Sequence, residues 1–221
     1  MASTSSDLLA AIETADADRV RAILNGDPSL ATVRDANGVS ALMQARYRLD
    51  RALTEAVRSH VPELDVFEAA SFGDVDRLTV LLAEDASLVS VVSGDGFTAL
   101  HFAAFFGQDD AVALLLARGA DVDAHGTGWM TGTALNSAAS RRRAEIAVRL
   151  LNAGADVNST QAQGFTALHA AAHNGDAELT QILLARGADP ALTTDDGHAA
   201  LSFAEESGDE ATIELLRPVT A

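Results

Sequence analysis

The nine residues Gly96-Phe97-Thr98-Ala99-Leu100-His101-Phe102-Ala103-Ala104 decide the fold, because the chain writes them again. They return as Gly164-Phe165-Thr166-Ala167-Leu168-His169-Ala170-Ala171-Ala172. A looser copy, Gly132-Thr133-Ala134-Leu135-Asn136-Ser137-Ala138-Ala139, lies between them, and Gly197-His198-Ala199-Ala200-Leu201-Ser202-Phe203-Ala204 follows. The leucines at 100, 135, 168 and 201 are 35, 33 and 33 residues apart. A second phrase keeps step: Arg118-Gly119-Ala120-Asp121-Val122, Ala153-Gly154-Ala155-Asp156-Val157 and Arg186-Gly187-Ala188-Asp189-Pro190. A fixed period of this length marks a chain of stacked supersecondary units.

Each period holds two helix-length apolar stretches, such as 99–106 and 109–117, with Gly107 between them. Glycine there supplies the left-handed residue that ends the first helix, and Gly119 does the same for the second. Asp109 and Asp176 place negative charge where a helix N-terminus favours it. One such pair cannot bury its apolar face alone, so neighbours must stack on it. The expected fold class is all-α: a solenoid of about seven helix-turn-helix units in one continuous domain.

The N-terminal half decodes by offset. Moving 58 residues along aligns Asp16 with Asp74, Asp18-Arg19 with Asp76-Arg77, Leu24 with Leu82, and Ser29-Leu30 with Ser87-Leu88. Gly38 then meets Gly96, and Ala41-Leu42 meets Ala99-Leu100. Residues 7–64 and 65–122 thus read as two related pairs of units. The expected units are 7–37, 38–64, 65–94, 95–130, 131–162, 163–196 and 197–219, the second of them degenerate. Residues 1–64 form the divergent part, 65–196 the regular repeats, and 197–221 a polar capping unit rich in glutamate.

Composition narrows the function classes. There is no cysteine, which removes disulfides, thiolate metal sites and a cysteine nucleophile. A net charge of −17 repels phosphate backbones, so nucleic acid is not an expected partner. The N-terminus has no apolar stretch of the signal-peptide kind, and the longest apolar runs are too short to span a bilayer. A cytoplasmic protein away from membranes is therefore expected. All fifteen basic residues are arginine. A GC-rich genome, such as that of a high-GC bacterium, produces that bias.

The quoted phrases resemble the ankyrin repeat, whose signature runs T-P-L-H-x-A-A and closes on L-L-x-x-G-A-D-V-N. Three consecutive copies fill residues 93–197. Ala99, Ala134 and Ala167 stand where the family usually has proline, and alanine is a good helix former at that position. The resemblance implies a concave binding face made of the loop before the first helix (the finger) and the exposed end of that helix. It also implies a structural, hydrogen-bonding role for His101 and His169.

Seven of the chain's ten aromatic residues fall on those implied positions: Tyr47, Phe72, Phe97, Phe105, Phe106, Trp129 and Phe165. They form either a binding patch or packing between neighbouring fingers. Unit 131–162 is eccentric. It follows two extra finger residues, Gly126-Thr127, replaces the signature histidine by Asn136, and has Ser140-Arg141-Arg142-Arg143 where glycine usually sits. Arginines beside aromatics suit a carboxylate or an acidic peptide, or else balance an acidic surface. The expected binding residues are Phe72, Phe97, Phe105, Phe106, His125, Trp129, Met130, Arg141, Phe165 and His173.

No catalytic motif is recognisable, and no histidine–carboxylate spacing suits a metal. No cofactor is expected. The first expectation is a non-catalytic scaffold that binds a protein partner, as a monomer or a homodimer. The alternative is a small-molecule binder or atypical enzyme with a pocket around residues 97–141 and 165–173. There His173 beside Asn136, His125 or Asp196 would transfer protons.

Overall fold

The computed structural model describes residues 4–128 and 131–217. Among them are fourteen α-helices and no strand longer than an isolated bridge. The helices come in seven pairs: α1 (Ser5–Glu13) with α2 (Ala17–Gly26), α3 (Ala41–Tyr47) with α4 (Arg51–Arg58), and α5 (Val66–Phe72) with α6 (Val75–Glu84). Then follow α7 (Ala99–Phe106) with α8 (Asp109–Ala117), α9 (Ala134–Ser140) with α10 (Ala144–Asn152), α11 (Ala167–His173) with α12 (Ala177–Ala185), and α13 (Ala200–Ser207) with α14 (Glu210–Leu216). One pair falls in each expected unit, although α1 begins two residues ahead of the expected start at residue 7, and α7 and α8 have the bounds read from the sequence.

The chain forms two compact units. The first runs to Glu68 and takes in Ser93–Asp95; the second holds Ala69–Val92 and the chain from Gly96 onward. In the first, α1 packs on α3 and α2 on α4. In the second, the first helices α7, α9, α11 and α13 pack in one row and the second helices α6, α8, α10, α12 and α14 in another. Leu100, Leu135 and Leu168 are buried at equivalent points of the first row, and Leu115, Leu150 and Leu183 at equivalent points of the second. Paired alanines at 103–104, 138–139 and 171–172 have no exposed surface, which lets the backbones of the first row approach closely.

The turn inside each pair passes through one left-handed residue: Ala15, Leu49, Gly73, Gly107, Arg142, Gly175 and Gly208. Glycine takes that conformation at little cost, whereas a side chain adds about 1–2 kcal/mol. At Gly175 glycine is needed twice over, because a Cβ there would lie 2.9 Å from Asp209 Cβ, whereas a Cβ on Gly107 would meet only the movable Arg143 guanidinium, 2.9 Å away. At three turns the residue just ahead of a second helix covers the turn of the preceding repeat: Gln108 at Gly73, Arg143 at Gly107 and Asp209 at Gly175. In the eccentric unit the left-handed residue is Arg142, and Arg141 before it is the C-cap of α9.

The 58-residue duplication extends to individual hydrogen bonds. Asp16 caps α2 by accepting from the Arg19 amide at 2.9 Å, and Asp74 caps α6 from the Arg77 amide at 2.9 Å. Asp27 accepts from the Ser29 hydroxyl at 2.6 Å, as Asp85 does from Ser87. Thr32 and Ser90 then each return a hydroxyl hydrogen bond of 3.1 Å to the serine carbonyl.

Candidate functional site

Several first helices carry a polar side chain at their third residue, a histidine in two of them and an asparagine or glutamate in others. His101 is buried; its Nδ1 accepts from the Thr98 hydroxyl at 2.8 Å, and its Nε2 donates to the Gly132 carbonyl of the next finger at 3.0 Å. A carbonyl can only accept, so Nε2 carries a proton, and the Thr98 amide can only donate, at 3.3 Å to Nδ1, so this imidazole is neutral. His169 repeats the arrangement with the Thr166 hydroxyl at 2.8 Å and the His198 carbonyl at 3.2 Å. Burial holds both imidazoles below the ordinary histidine value, against the raising effect of those carbonyls. The implied structural role of the two histidines is what the geometry displays.

Asn136 reproduces the same pattern with an amide. Its Oδ1 accepts from the Thr133 amide at 2.9 Å, and its Nδ2 donates to the Ser159 carbonyl at 3.3 Å. In the first unit the equivalent residue is Glu68, which sequence reasoning missed. The buried Glu68 accepts from the Ser40 hydroxyl at 2.6 Å and from the Asp65 amide at 3.0 Å. Burial, with the neighbouring Asp65 charge, raises its carboxyl above the usual range. Its register with His101 was the available signal.

The fingers close on themselves. In three of them an amide donates to the carbonyl four residues on: Asp35 to Val39, Gln161 to Phe165 and Thr194 to His198. In the eccentric finger Gly126 reaches six residues on, to Gly132. The two extra residues are thus accommodated inside the finger loop, not in a helix. His125 braces this loop: its Nδ1 donates to the Thr131 carbonyl at 2.8 Å, leaving Nε2 to accept from the Ser159 hydroxyl at 3.3 Å. Trp129 and Met130 lie outside the described residues.

The aromatic positions divide into core and surface. Phe97 is 5% exposed and packs on His101 and Phe102, with ring centroids 5.6 and 5.8 Å away. Phe165 is half-buried against His169 and Phe203 at 5.3 and 4.9 Å. Phe97 therefore follows the packing alternative in this conformation. Phe72 is half-buried at the end of α5. The Tyr47 phenol donates to the Asp95 carboxylate, which also accepts from Ser93 at 2.5 Å. The large hydrophobic side chains prominently exposed among the described residues are Leu49, Val80 and Val92, none of them aromatic.

Phe105 and Phe106, at the end of α7, remain half-buried and meet edge to face at 5.0 Å. Arg141, at the end of α9, lays its guanidinium over the Phe105 ring at 5.0 Å. His173, at the end of α11, is exposed, and its ring lies 6.2 Å from Phe203. So Phe105, Phe106, Arg141 and His173 lie at equivalent ends of three adjacent first helices. His173 makes no hydrogen bond with Asn136, His125 or Asp196 among the described residues, and Asn136 is committed to structure. The proposed proton-transfer pairs are not assembled in this geometry.

The other arginines here have partners. Arg149 grips Asp109 through Nε at 2.6 Å and Nη2 at 2.5 Å, and that pairing lowers the Asp109 carboxyl. Arg142 donates to the Asn174 carbonyl at 3.0 Å and lies 3.7 Å from Asp176. Among the described residues no group of three or more histidines or carboxylates converges as a metal site, and no helix is long and apolar enough to cross a membrane.

Among curated proteins, the chain is 43% identical over 96 residues to a probable E3 ubiquitin-protein ligase, XBOS31, of Oryza sativa subsp. japonica. That match covers 43% of this chain and 21% of the rice protein. It is 37% identical over 103 residues to ankyrin repeat and SAM domain-containing protein 6 of Rattus norvegicus, covering 46% of this chain and 11% of the relative. The matched stretch thus spans about a fifth or less of these relatives. The family described as "Ankyrin repeats (3 copies)" matches residues 66–161 and 135–220, more than half of the sequence. With the repeated helix pairs, the signature histidines and the closed fingers already in place, the chain belongs to the ankyrin-repeat family.

Proposed function

We propose that this protein is a non-catalytic recognition module that binds a protein partner at the ends of α7, α9 and α11. Members of this fold class act in general as protein-interaction scaffolds. The relatives carry matched segments as a minor part of longer chains, which suits a module that recognises a target.

One observation carries the position of the site. Phe105, Phe106 and Arg141 form an aromatic–cationic platform at the ends of α7 and α9, in which Arg141 lies over the Phe105 ring and the two phenylalanines meet edge to face. Aromatic rings and arginine are enriched in the cores of protein interfaces. The eccentric finger from Gly126 to Gly132 stands beside it in sequence and carries the chain's one tryptophan. Finger enlargement at a loop perturbs stability little and is a common route to specificity.

The test is affinity capture with the wild-type chain and with the Phe106→Ala/Trp129→Ala variant, each checked for an unchanged helical circular-dichroism signal. A partner retained by the wild type and lost by the variant supports the proposal. The same partners at the same yield on both proteins contradict it.

A further inference from the structure

We infer that Arg141 is a seat for a single carboxylate on the partner, presented beside an apolar residue. This rests on the binding face proposed above and names the chemistry that the face selects. Within the 141–149 segment, Arg149 is consumed by Asp109 and Arg142 by Asn174 and Asp176. The Arg143 side chain lies over the Gly107 backbone. Arg141 has no carboxylate within ion-pair distance among the described residues. Its Nε is buried and lacks a hydrogen-bond partner there.

The geometry sets what this cation takes. The Arg141 guanidinium carbon lies over the Phe105 ring at 5.0 Å and its Nε is buried, which leaves Nη1 and Nη2 as the donors for a ligand. A planar fork of two donors matches a carboxylate in a bidentate pair. Phe105 and Phe106 provide an apolar shoulder beside those donors. The charge of −17 repels polyanions, so an acidic run or a nucleic acid is disfavoured against one carboxylate with an apolar neighbour. The carboxylate belongs either to an aspartate or glutamate side chain or to a free chain terminus.

The test uses the full chain and random synthetic peptides made with free and with amidated C-termini. Bound peptides are sequenced and their Kd values measured by calorimetry, against wild type, Arg141→Gln, Arg141→Lys and Phe105→Ala. The inference expects Arg141→Gln to weaken binding at least tenfold, with Arg141→Lys failing to restore it. Neutralising the peptide carboxylate should cost the same factor, and doing both should add no further loss. Loss on amidation identifies a terminal carboxylate; loss on Asp→Asn or Glu→Gln identifies a side chain. Peptides that need Phe105 but bind Arg141→Gln within twofold of wild type overturn the carboxylate seat and leave the binding face standing. Peptides indifferent to both residues, or no bound peptide at all, overturn both.

Discussion

Two neighbouring repeats, α7–α8 and α9–α10, share a backbone plan and differ at three points of chemistry. The third residue of the first helix is a histidine in one and an asparagine in the other; both accept from the threonine ahead of them and donate to a carbonyl further along the chain, Gly132 for His101 and Ser159 for Asn136. The left-handed turn is Gly107 in one and Arg142 in the other. The finger ahead of α9 is two residues longer than its neighbours. The difference shows what the fold requires. It needs an acceptor and a donor at the helix start and a left-handed residue in the turn, and it accepts more than one side chain for each task. The eccentric repeat keeps the skeleton with costlier residues, and there the arginine platform stands.

Removing the shared polar link should have the largest effect. His101→Ala leaves the Gly132 carbonyl without this donor and opens a void in the core, a loss of about 2–4 kcal/mol by urea denaturation. His101→Asn, which imports the neighbouring solution, should recover part of it. If His101→Ala is neutral, the two side chains are not equivalent structural links.

Exchanging the turns comes next. Gly107→Ala should destabilise by about 1–2 kcal/mol, because it adds a side chain at φ +82° and pushes on Arg143. Arg142→Gly should instead stabilise by about 0.5–1 kcal/mol, since relief of strain outweighs an exposed hydrogen bond to Asn174. Equal signs for the two would show that the turns are not under the same constraint.

The duplicated caps provide a smaller check. Asp16→Ala and Asp74→Ala should each cost about 1 kcal/mol, and nearly the same amount, because their capping bonds coincide. A difference above about 1 kcal/mol would mean that context, not the cap, sets the cost.

The smallest effect is on pH dependence. His101 and His169 in the folded chain titrate below their ordinary value of 6.5, so the unfolded chain takes up the proton first. The stability they confer is intact above about pH 6.5 and is lost as the pH falls through their lowered folded values. Denaturation midpoints between pH 7 and pH 5 should therefore fall less steeply in His101→Asn/His169→Asn than in the wild type. The α9–α10 repeat, with its non-titrating Asn136, contributes nothing to that slope. An unchanged slope would place the acid sensitivity elsewhere.

The helix pairs were legible in the sequence because period, glycine placement and apolar runs are local signals. The bounds of α7 and α8 and the offset joining Asp16 to Asp74 follow from them directly. Other features depend on contacts that no local pattern encodes. Arg149 finds Asp109 across 40 residues, in a neighbouring repeat. Glu68 is bound by Ser40 across 28 residues. The sequence marked an arginine cluster at the turn, but not that Arg142 takes the left-handed residue while Arg141 turns onto Phe105. Phe97 and Phe105 both carry a signature of recognition; only packing separates the buried ring from the half-buried one.

The central claim is that the ends of α7, α9 and α11 form the recognition face. Amide hydrogen exchange on the full chain, free and saturated with a captured partner, tests it most directly. The account predicts slowed exchange around residues 104–108, 138–143 and 172–176, with 177–185 and 210–216 on the second-helix row unchanged. Slowing confined to that second row, with the three first-helix ends unaffected, would contradict it.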